Sequence, residues 1–300
     1  MAQAEDGWKK WALLVILALI WGSSFILMKR GLFHDGRPVL DPWQMASARL
    51  AIAWLALSPL LLRHAALLRE HWLPLLGTGV LGNGIPAFLF AAGQTRIDSS
   101  LSGMLNSLTP LFTLLVGAVF FGNRLRLIHL VGILLGLIGA AGLILLKTDN
   151  GLPAWSWFAV LPILGTVCYG FSGNIVKRHL HALPAAATAC LALSFVGPIG
   201  VAGTWAADLP TTLETDPQGW GSLGFVALLA VLSSALSLVL WNALLKLTTA
   251  VWASSVTYLM PVVAIGWGIM DGESLSGGQT AMIAVVLSAV WLVNRAERTV

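Results

Sequence analysis

The stretch WGSSFILMKRGL at Trp21–Leu32 returns as YGFSGNIVKRHL at Tyr169–Leu180. Gly22 and Gly170, Ser24 and Ser172, the Lys29-Arg30 and Lys177-Arg178 pairs, and Leu32 and Leu180 recur in register at an offset of 148. Farther on, Ala92 and Pro110 pair with Ala243 and Pro261 at an offset of 151, and GNRL at Gly122–Leu125 answers GESL at Gly272–Leu275. Apolar matches arise by chance in so biased a composition, but a Lys-Arg pair and a turn tetrapeptide do not. The chain reads as a duplication with halves 1–150 and 151–300.

Each half is apolar enough to sit in lipid. Of 300 residues, 57% are hydrophobic and 10% charged, with a mean hydropathy of +0.84; an ordinary soluble domain carries about 25% charged residues. A hydrocarbon core about 30 Å thick takes about 20 apolar residues per helix. Stretches of that length fall at 10–32, 42–62, 72–94, 98–121 and 127–147, then at 154–177, 184–205, 221–245, 250–270 and 278–295. They leave no room for a soluble domain of any size. Five spans per half is an odd number, so the second half must enter the membrane from the opposite side. The expected fold is all-α, with ten transmembrane helices as two inverted five-helix repeats around a central cavity, as in alternating-access secondary transporters.

A net charge of +4 would point to nucleic acid in a soluble protein. Here the basic residues flank apolar spans, so they report orientation and no nucleic-acid partner is expected. With the N-terminus inside, the inner ends hold Lys9, Lys10, Arg63, Arg69, Arg124, Arg126, Lys177, Arg178, Lys246, Arg295 and Arg298. The outer ends hold only Lys29, Arg30, Arg37, Arg96 and Lys147. Both termini are therefore expected in the cytoplasm of a multi-pass inner or plasma membrane protein. The N-terminal apolar run is too long for a signal peptide and no small-residue cleavage site follows it, so it reads as the first span. Cys168 and Cys190 fall inside spans and read as small packing residues. Trp8, Trp43, Trp72, Trp155, Trp205 and Trp220 lie at span ends, as interfacial anchors do.

WGSSF at Trp21–Phe25, Pro110 followed by Gly122 ahead of a fifth apolar span, and a second copy ending in Gly272-Glu273 together resemble the EamA family of the drug/metabolite transporter superfamily. The resemblance covers essentially the whole chain, and the order and duplication of the motifs carry it. Asn123 departs from it, standing where the family usually has Glu; Glu273 keeps the acid in the second copy. The resemblance implies that helices 1, 3, 4, 6, 8 and 9 surround a central cavity, with 5 and 10 packed together at one side. Among the branches of the family, length and tryptophan content look most similar to bacterial exporters of aromatic and other neutral amino acids.

Polar residues at helical spacing nominate the substrate contacts. Ser99, Ser102, Asn106, Thr109 and Thr113 share one face of the fourth span. Such a stripe faces a cavity or glues helices together, and rarely meets lipid. Asn83, Ala87, Phe90 and Gln94 make a weaker line on the third span. Trp21 and Ser24 on the first span are answered by Tyr169 and Ser172 on the sixth. Ser234, Ser237 and Trp241 share a face of the eighth, and Ser254, Tyr258 and Trp267 punctuate the ninth. Aromatic rings at that depth can stack on a flat substrate, and Trp54 is a further aromatic candidate. The expected substrate-binding set is Trp21, Ser24, Asn83, Ser102, Asn106, Thr109, Tyr169, Ser172, Trp241, Tyr258 and Trp267.

Arg49 is the one base clearly inside a span. It either meets a substrate carboxylate or serves a structural partner, snorkelling toward the surface. Pro110 and Pro261 occupy equivalent positions in spans 4 and 9 and are read as kinks or hinges. Gly132-x-x-x-Gly136 permits close helix contact, expected against helix 10 through Ala281, Ala284 and Ser288.

No acid lies near the middle of a span and all six histidines sit near ends, so a proton relay has no evident carrier. There is no phosphate-binding loop, no metal or cofactor constellation, and no nucleophile–base arrangement of the kind a membrane-embedded enzyme needs. One embedded base is too few for a phosphate or nucleotide-sugar carrier. These observations favour a transporter rather than an enzyme, working as a monomer or weak homodimer on a neutral or zwitterionic small molecule such as an amino acid. The rival reading within transport is a broad-specificity metabolite or drug exporter.

Overall fold

The computed structural model describes residues 2–97, 99–123, 126–146, 157–270 and 277–297. Over these it is an all-α membrane protein. The helices are α1 (Ala2–Leu32), α2 (Pro42–Leu57), α3 (Leu61–Gly79), α4 (Ile85–Gly93), α5 (Ser99–Asn106), α6 (Thr109–Phe121), α7 (Leu127–Leu146) and α8 (Val160–Ile175). There follow α9 (Ala185–Ala206), α10 (Leu209–Thr215), α11 (Gly219–Ala230), α12 (Ser237–Leu247), α13 (Ala250–Ser254), α14 (Val256–Met270) and α15 (Gly277–Glu297). A small antiparallel hairpin, β1 (Phe33–His34) and β2 (Arg37–Pro38), closes on Asp35 and Gly36, both at positive φ, the conformation an Asp-Gly turn favours.

Six helical runs are long and apolar enough to cross a membrane, and Thr109–Phe121, Leu127–Gly139 and Thr280–Ala289 are shorter apolar helices. One of the six, Pro42–Gly93, has 52 residues. That is about 78 Å of helix at 1.5 Å per residue, more than twice the hydrocarbon thickness. The run breaks at His71, whose φ of −117° and ψ of 21° are not helical, and α4 comes back to pack beside α2. Its two arms are therefore antiparallel. Asp41 starts the first arm with a full capping box, its side chain accepting from the Trp43 and Gln44 amides while Gln44 answers the Asp41 amide, as helix N-termini require.

The fourth span, expected as one run over 98–121 with Pro110 as a kink within it, is in fact two helices. Helix α5 ends at Asn106, and Pro110 stands in the first turn of α6, where a missing N–H costs little. Pro261 does lie inside α14. Three π-helical turns widen the bundle, at Val80–Gly84, Val176–Leu180 and Val231–Leu236. The first and third are separated by the same 151 positions that relate Pro110 to Pro261.

Helix α1 packs on α14, α11 and α12, while α8 packs on α6, α4 and α3. Helix α2 lies along α9, and α7 along α15. The bundle has two distinct ends. At one, Arg37 makes a two-pronged ion pair with Asp216 at 2.7 and 2.8 Å, and Gln44 donates to the Ala207 carbonyl and Thr212. The Arg37 guanidinium holds the Asp216 carboxyl below its ordinary pKa. At the other end, Lys177 donates to the Leu245 and Thr248 carbonyls that finish α12. Arg178 donates to the Phe121 carbonyl that finishes α6, and Lys10 lies 5.3 Å over the Trp252 ring.

Large apolar side chains such as Val119, Phe120, Ile138, Ile199 and Trp291 stand exposed on the outside, as a lipid-facing surface requires. Trp8, Trp43, Trp72, Trp205 and Trp220 are also exposed; Trp155 lies outside the described residues. The expected packing of the fifth span on the tenth is present as α7 along α15, but Gly136 faces another helix: a side chain there would meet the Tyr258 ring of α14.

Two glycines mark where helices touch. A Cβ on Gly79 would overlap the Ala192 carbonyl oxygen of α9. Gly122 ends α6 at φ 69°, a left-handed cap that suits glycine. Replacing Gly79 with Ala is expected to lower the melting temperature in detergent, by about 1–3 kcal/mol of stability if the backbones must part. Gly224, with nothing within 4 Å of the added carbon, should tolerate Ala without loss.

Candidate functional site

The polar faces of the inner helices converge on one cavity, enclosing about 810 Å³ of non-atomic space, part of it open at the mouth. Helix α1 contributes Trp21, Ser24, Phe25 and Met28, and the first π-turn contributes Gly82 and Asn83. Phe90 comes from α4, Asn106 from α5, Thr109 from α6, and Tyr169 with Ser172 from α8. The third π-turn supplies Ser233 and Ser234, α12 supplies Ser237, Leu238 and Trp241, and α14 supplies Thr257 and Met260. Arg49 reaches in from α2.

One wall is aromatic. The Trp21 and Trp241 rings lie 5.4 Å apart and tilted, Phe25 and Phe90 6.2 Å apart, and Phe90 and Tyr169 stack at 5.9 Å with 23° between planes. The Trp21 indole is fixed, its Nε1 donating to the Ser233 carbonyl at 3.1 Å and to Ser237 Oγ at 2.9 Å. A π-turn leaves such a carbonyl without its usual helical donor, which is why these turns recur at functional sites. Apart from Met28, Leu238 and Met260, the remaining side chains of the lining are polar and neutral except for Arg49. Asn106 Nδ2 donates only to the Met260 sulfur, a weak acceptor, at 3.3 Å. Asn83 Nδ2 is buried with no partner in the protein. Arg49 Nε donates to Ser234 Oγ at 2.8 Å, and among the described residues no carboxylate pairs with it or lines the cavity. An intramembrane charge costs about 2.5–3.5 kcal/mol on insertion scales, and among the described residues no carboxylate offsets it.

Of the residues nominated from sequence, the structure gathers Trp21, Ser24, Asn83, Asn106, Thr109, Tyr169, Ser172, Trp241 and Arg49 around this space. It places three elsewhere. Ser102 is wholly buried, one turn before the cavity-lining Asn106 on the same helix. Tyr258 is buried against Gly136 of α7. Trp267 lies at the bundle's edge, its Nε1 donating to Ser23 at 2.7 Å. Trp54 sits between α2 and α9, with its indole near Ser194. Phe25, Met28, Ser233, Thr257 and Met260 were not nominated. Phe25 lay inside the WGSSF motif itself, and Ser233 escaped because a π-turn shifts the helical register on which spacing arguments rest.

A helical membrane bundle around a central amphipathic cavity is an architecture that suits a multi-pass transporter. The chain belongs to the EamA-like transporter family, whose description matches twice, over residues 9–145 and 156–295. It is 27% identical to the uncharacterized inner membrane transporter YedA of Escherichia coli K12, over 94% of this chain and 89% of that one. It is 26% identical to a probable amino-acid metabolite efflux pump of Salmonella typhimurium, over 93% of each. It is 25% identical to a probable terminal-alkyne amino-acid exporter of Streptantibioticus cattleyicolor, over 95% and 93%. A solved structure shares the fold with a TM-score of 0.69 at 17% identity, over 96% of this chain and 97% of that one. The family and these relatives are transporters, and this chain is not an enzyme.

Cysteine scanning checks the cavity wall. In a background with Cys168 and Cys190 replaced by Ala, Ser172→Cys and Ser237→Cys should react with a small charged methanethiosulfonate in at least one transport state. Ser102→Cys should stay protected, as its wholly buried position demands.

Proposed function

We propose that the protein is an inner-membrane exporter of neutral amino acids, aromatic ones in particular, working by alternating access. The observation that carries this reading is a cavity in which one guanidinium, unpaired with any acid, faces an aromatic wall and neutral hydrogen-bonding groups. A zwitterion with a flat side chain matches all three. Its carboxylate suits the guanidinium, its ammonium can meet the faces of Trp21 and Trp241, and its ring can stack. The names carried by two relatives agree with amino-acid export.

The architecture we propose is ten spans in two inverted five-helix repeats, 1–150 and 151–300. The double family match supports it, as do the antiparallel arms of Pro42–Gly93 and the π-turns 151 positions apart. The packing also supports it: α1 of the first half lies on α14 and α11–α12 of the second, and α8 of the second half lies reciprocally on α6 and α3–α4 of the first. The end bearing Lys10, Lys177 and Arg178 is assigned to the cytoplasm, with both termini, by the positive-inside rule. Pro110 and Pro261 are proposed as the hinge points. Counterflow in liposomes tests the substrate: external labelled phenylalanine or tryptophan should accumulate against preloaded unlabelled amino acid. Competition by unrelated drugs but not by amino acids would favour the broad-specificity exporter instead.

Coupling follows from the lining. A proton-driven cycle needs a group that protonates while alternately facing two solutions, usually a buried carboxylate. None lines the cavity among the described residues, and Asp98, at the outer end of the fourth span, lies outside them. Facilitated diffusion or exchange is therefore proposed. With equal substrate on both sides of purified proteoliposomes, an imposed pH gradient should drive no accumulation; uphill uptake that a protonophore abolishes would refute this.

A further inference from the structure

We infer that Arg49 and the π-turn at Val231–Leu236 form an anionic subsite that takes the carboxylate of the transported solute end-on, so that a carboxylate is a requirement for binding. The inference rests on the substrate reading above and deepens it. Arginine presents five N–H donors in a planar fork. Here the Nε–H is used by Ser234 Oγ at 2.8 Å, which fixes the plane of the group. The two terminal nitrogens are left facing the cavity with no protein acceptor, the geometry that matches two carboxylate oxygens in parallel.

The surroundings select for that occupant. The Tyr169 side chain lies within electrostatic range of the guanidinium, and no hydrogen bond within the protein occupies its hydroxyl, which leaves it free to donate to an anion. Asn83 Nδ2, unpartnered in the same cavity, is a second neutral donor. Donors are in surplus here and acidic acceptors are lacking. A primary amine without a carboxylate would add a second positive charge to a site that has no negative one. Arg49 comes from α2 whereas Ser234 belongs to the other half of the chain, so the subsite also bridges the two halves.

The test uses the full-length protein purified in detergent, with equilibrium binding of four probes: L-phenylalanine, L-phenylalaninamide, phenethylamine and 3-phenylpropionate. Wild type should bind phenylalanine at least roughly tenfold more tightly than the amide or the amine, since hydrogen bonds to a charged group contribute about 1.5–3 kcal/mol. Arg49→Gln should erase that ratio, and Arg49→Lys should restore part of it, with monodisperse elution and melting temperature checking the fold of both. Wild type binding the amide as well as the amino acid would overturn the subsite, with no variant needed. So would an unchanged ratio in Arg49→Gln, even if phenylalanine is transported, which would leave the amino-acid reading standing. Conversely, Arg49-dependent binding of 3-phenylpropionate without binding of phenylalanine would uphold the anionic subsite and refute the amino-acid reading. Failure of wild type to bind either carboxylate would overturn the assignment.

Discussion

In hydrocarbon no water is present to satisfy a backbone N–H or C=O, so any departure from a regular helix must be answered within the protein. The departures here are concentrated around the cavity, and side chains answer them. Pro261 has no N–H to give the Thr257 carbonyl one turn earlier, and Ser107 Oγ donates to that carbonyl at 3.1 Å. Pro110 leaves the Asn106 carbonyl in the same position, and Thr109 Oγ1 donates to it at 2.7 Å. The π-turn frees the Ser233 carbonyl, which Trp21 takes, while Ser233 Oγ reaches back to the Ile20 carbonyl at 3.3 Å. The contacts of Ser107 and Trp21 cross from one half of the chain to the other. The irregular backbone that shapes the cavity is therefore also what joins the halves.

The same logic explains the repeated Lys-Arg pair at the second copy. Helix C-termini leave four carbonyls without partners and carry partial negative charge. Lys177 and Arg178 stand on consecutive positions of a π-turn, and each finishes a different helix, α12 and α6. Below them Asn174 donates to the Thr113 carbonyl and accepts from Asn123 Nδ2 at 3.0 Å. Asn123 is the residue that departs from the family pattern, and an amide fits this contact because its Nδ2 can donate to the Asn174 carbonyl oxygen, which a carboxylate could not do. The basic pair therefore has a structural task of its own: it closes two helix ends at one end of the bundle.

What was legible in the sequence was what repeats or what costs energy when misplaced. Apolar length and the duplicated WGSSF and YGFSG segments gave the membrane class and directed attention to Trp21, Ser24, Tyr169 and Ser172, which the structure does bring to one cavity. Spacing alone did not decide which turn of a stripe reaches the cavity. The stripe drawn through Ser102 assumed one continuous helix from 98 to 121; α5 instead ends at Asn106, and although Ser102 and Asn106 lie one turn apart on the same helix, Asn106 and Thr109 line the cavity while Ser102 is buried outside it. Tyr258, noted with Ser254 and Trp267 as punctuating the ninth span, shares α14 with the cavity-lining Thr257 and Met260 but sets its ring against Gly136 of α7. Trp267 was nominated for its ring alone, and ring type does not fix which way a helix face points.

Arg49 shows how a duplicated chain acquires direction. Ala46-Ser47-Ala48-Arg49-Leu50-Ala51 on α2 is answered on α9 by Ala187-Thr188-Ala189-Cys190-Leu191-Ala192. Where the first copy sends a guanidinium into the cavity, the second buries a thiol against the Leu57 carbonyl at 3.3 Å. At three other pairs of related positions around the cavity the residues stay similar in kind: Trp21 and Tyr169, Ser24 and Ser172, Asn83 and Ser234. A pocket with full two-fold symmetry would present the same field to both ends of a solute and would leave a zwitterion no preferred orientation. One base on one copy breaks that symmetry. The repeat builds the frame of the cavity, and among the described residues a single charge without an acidic partner makes the site within it polar.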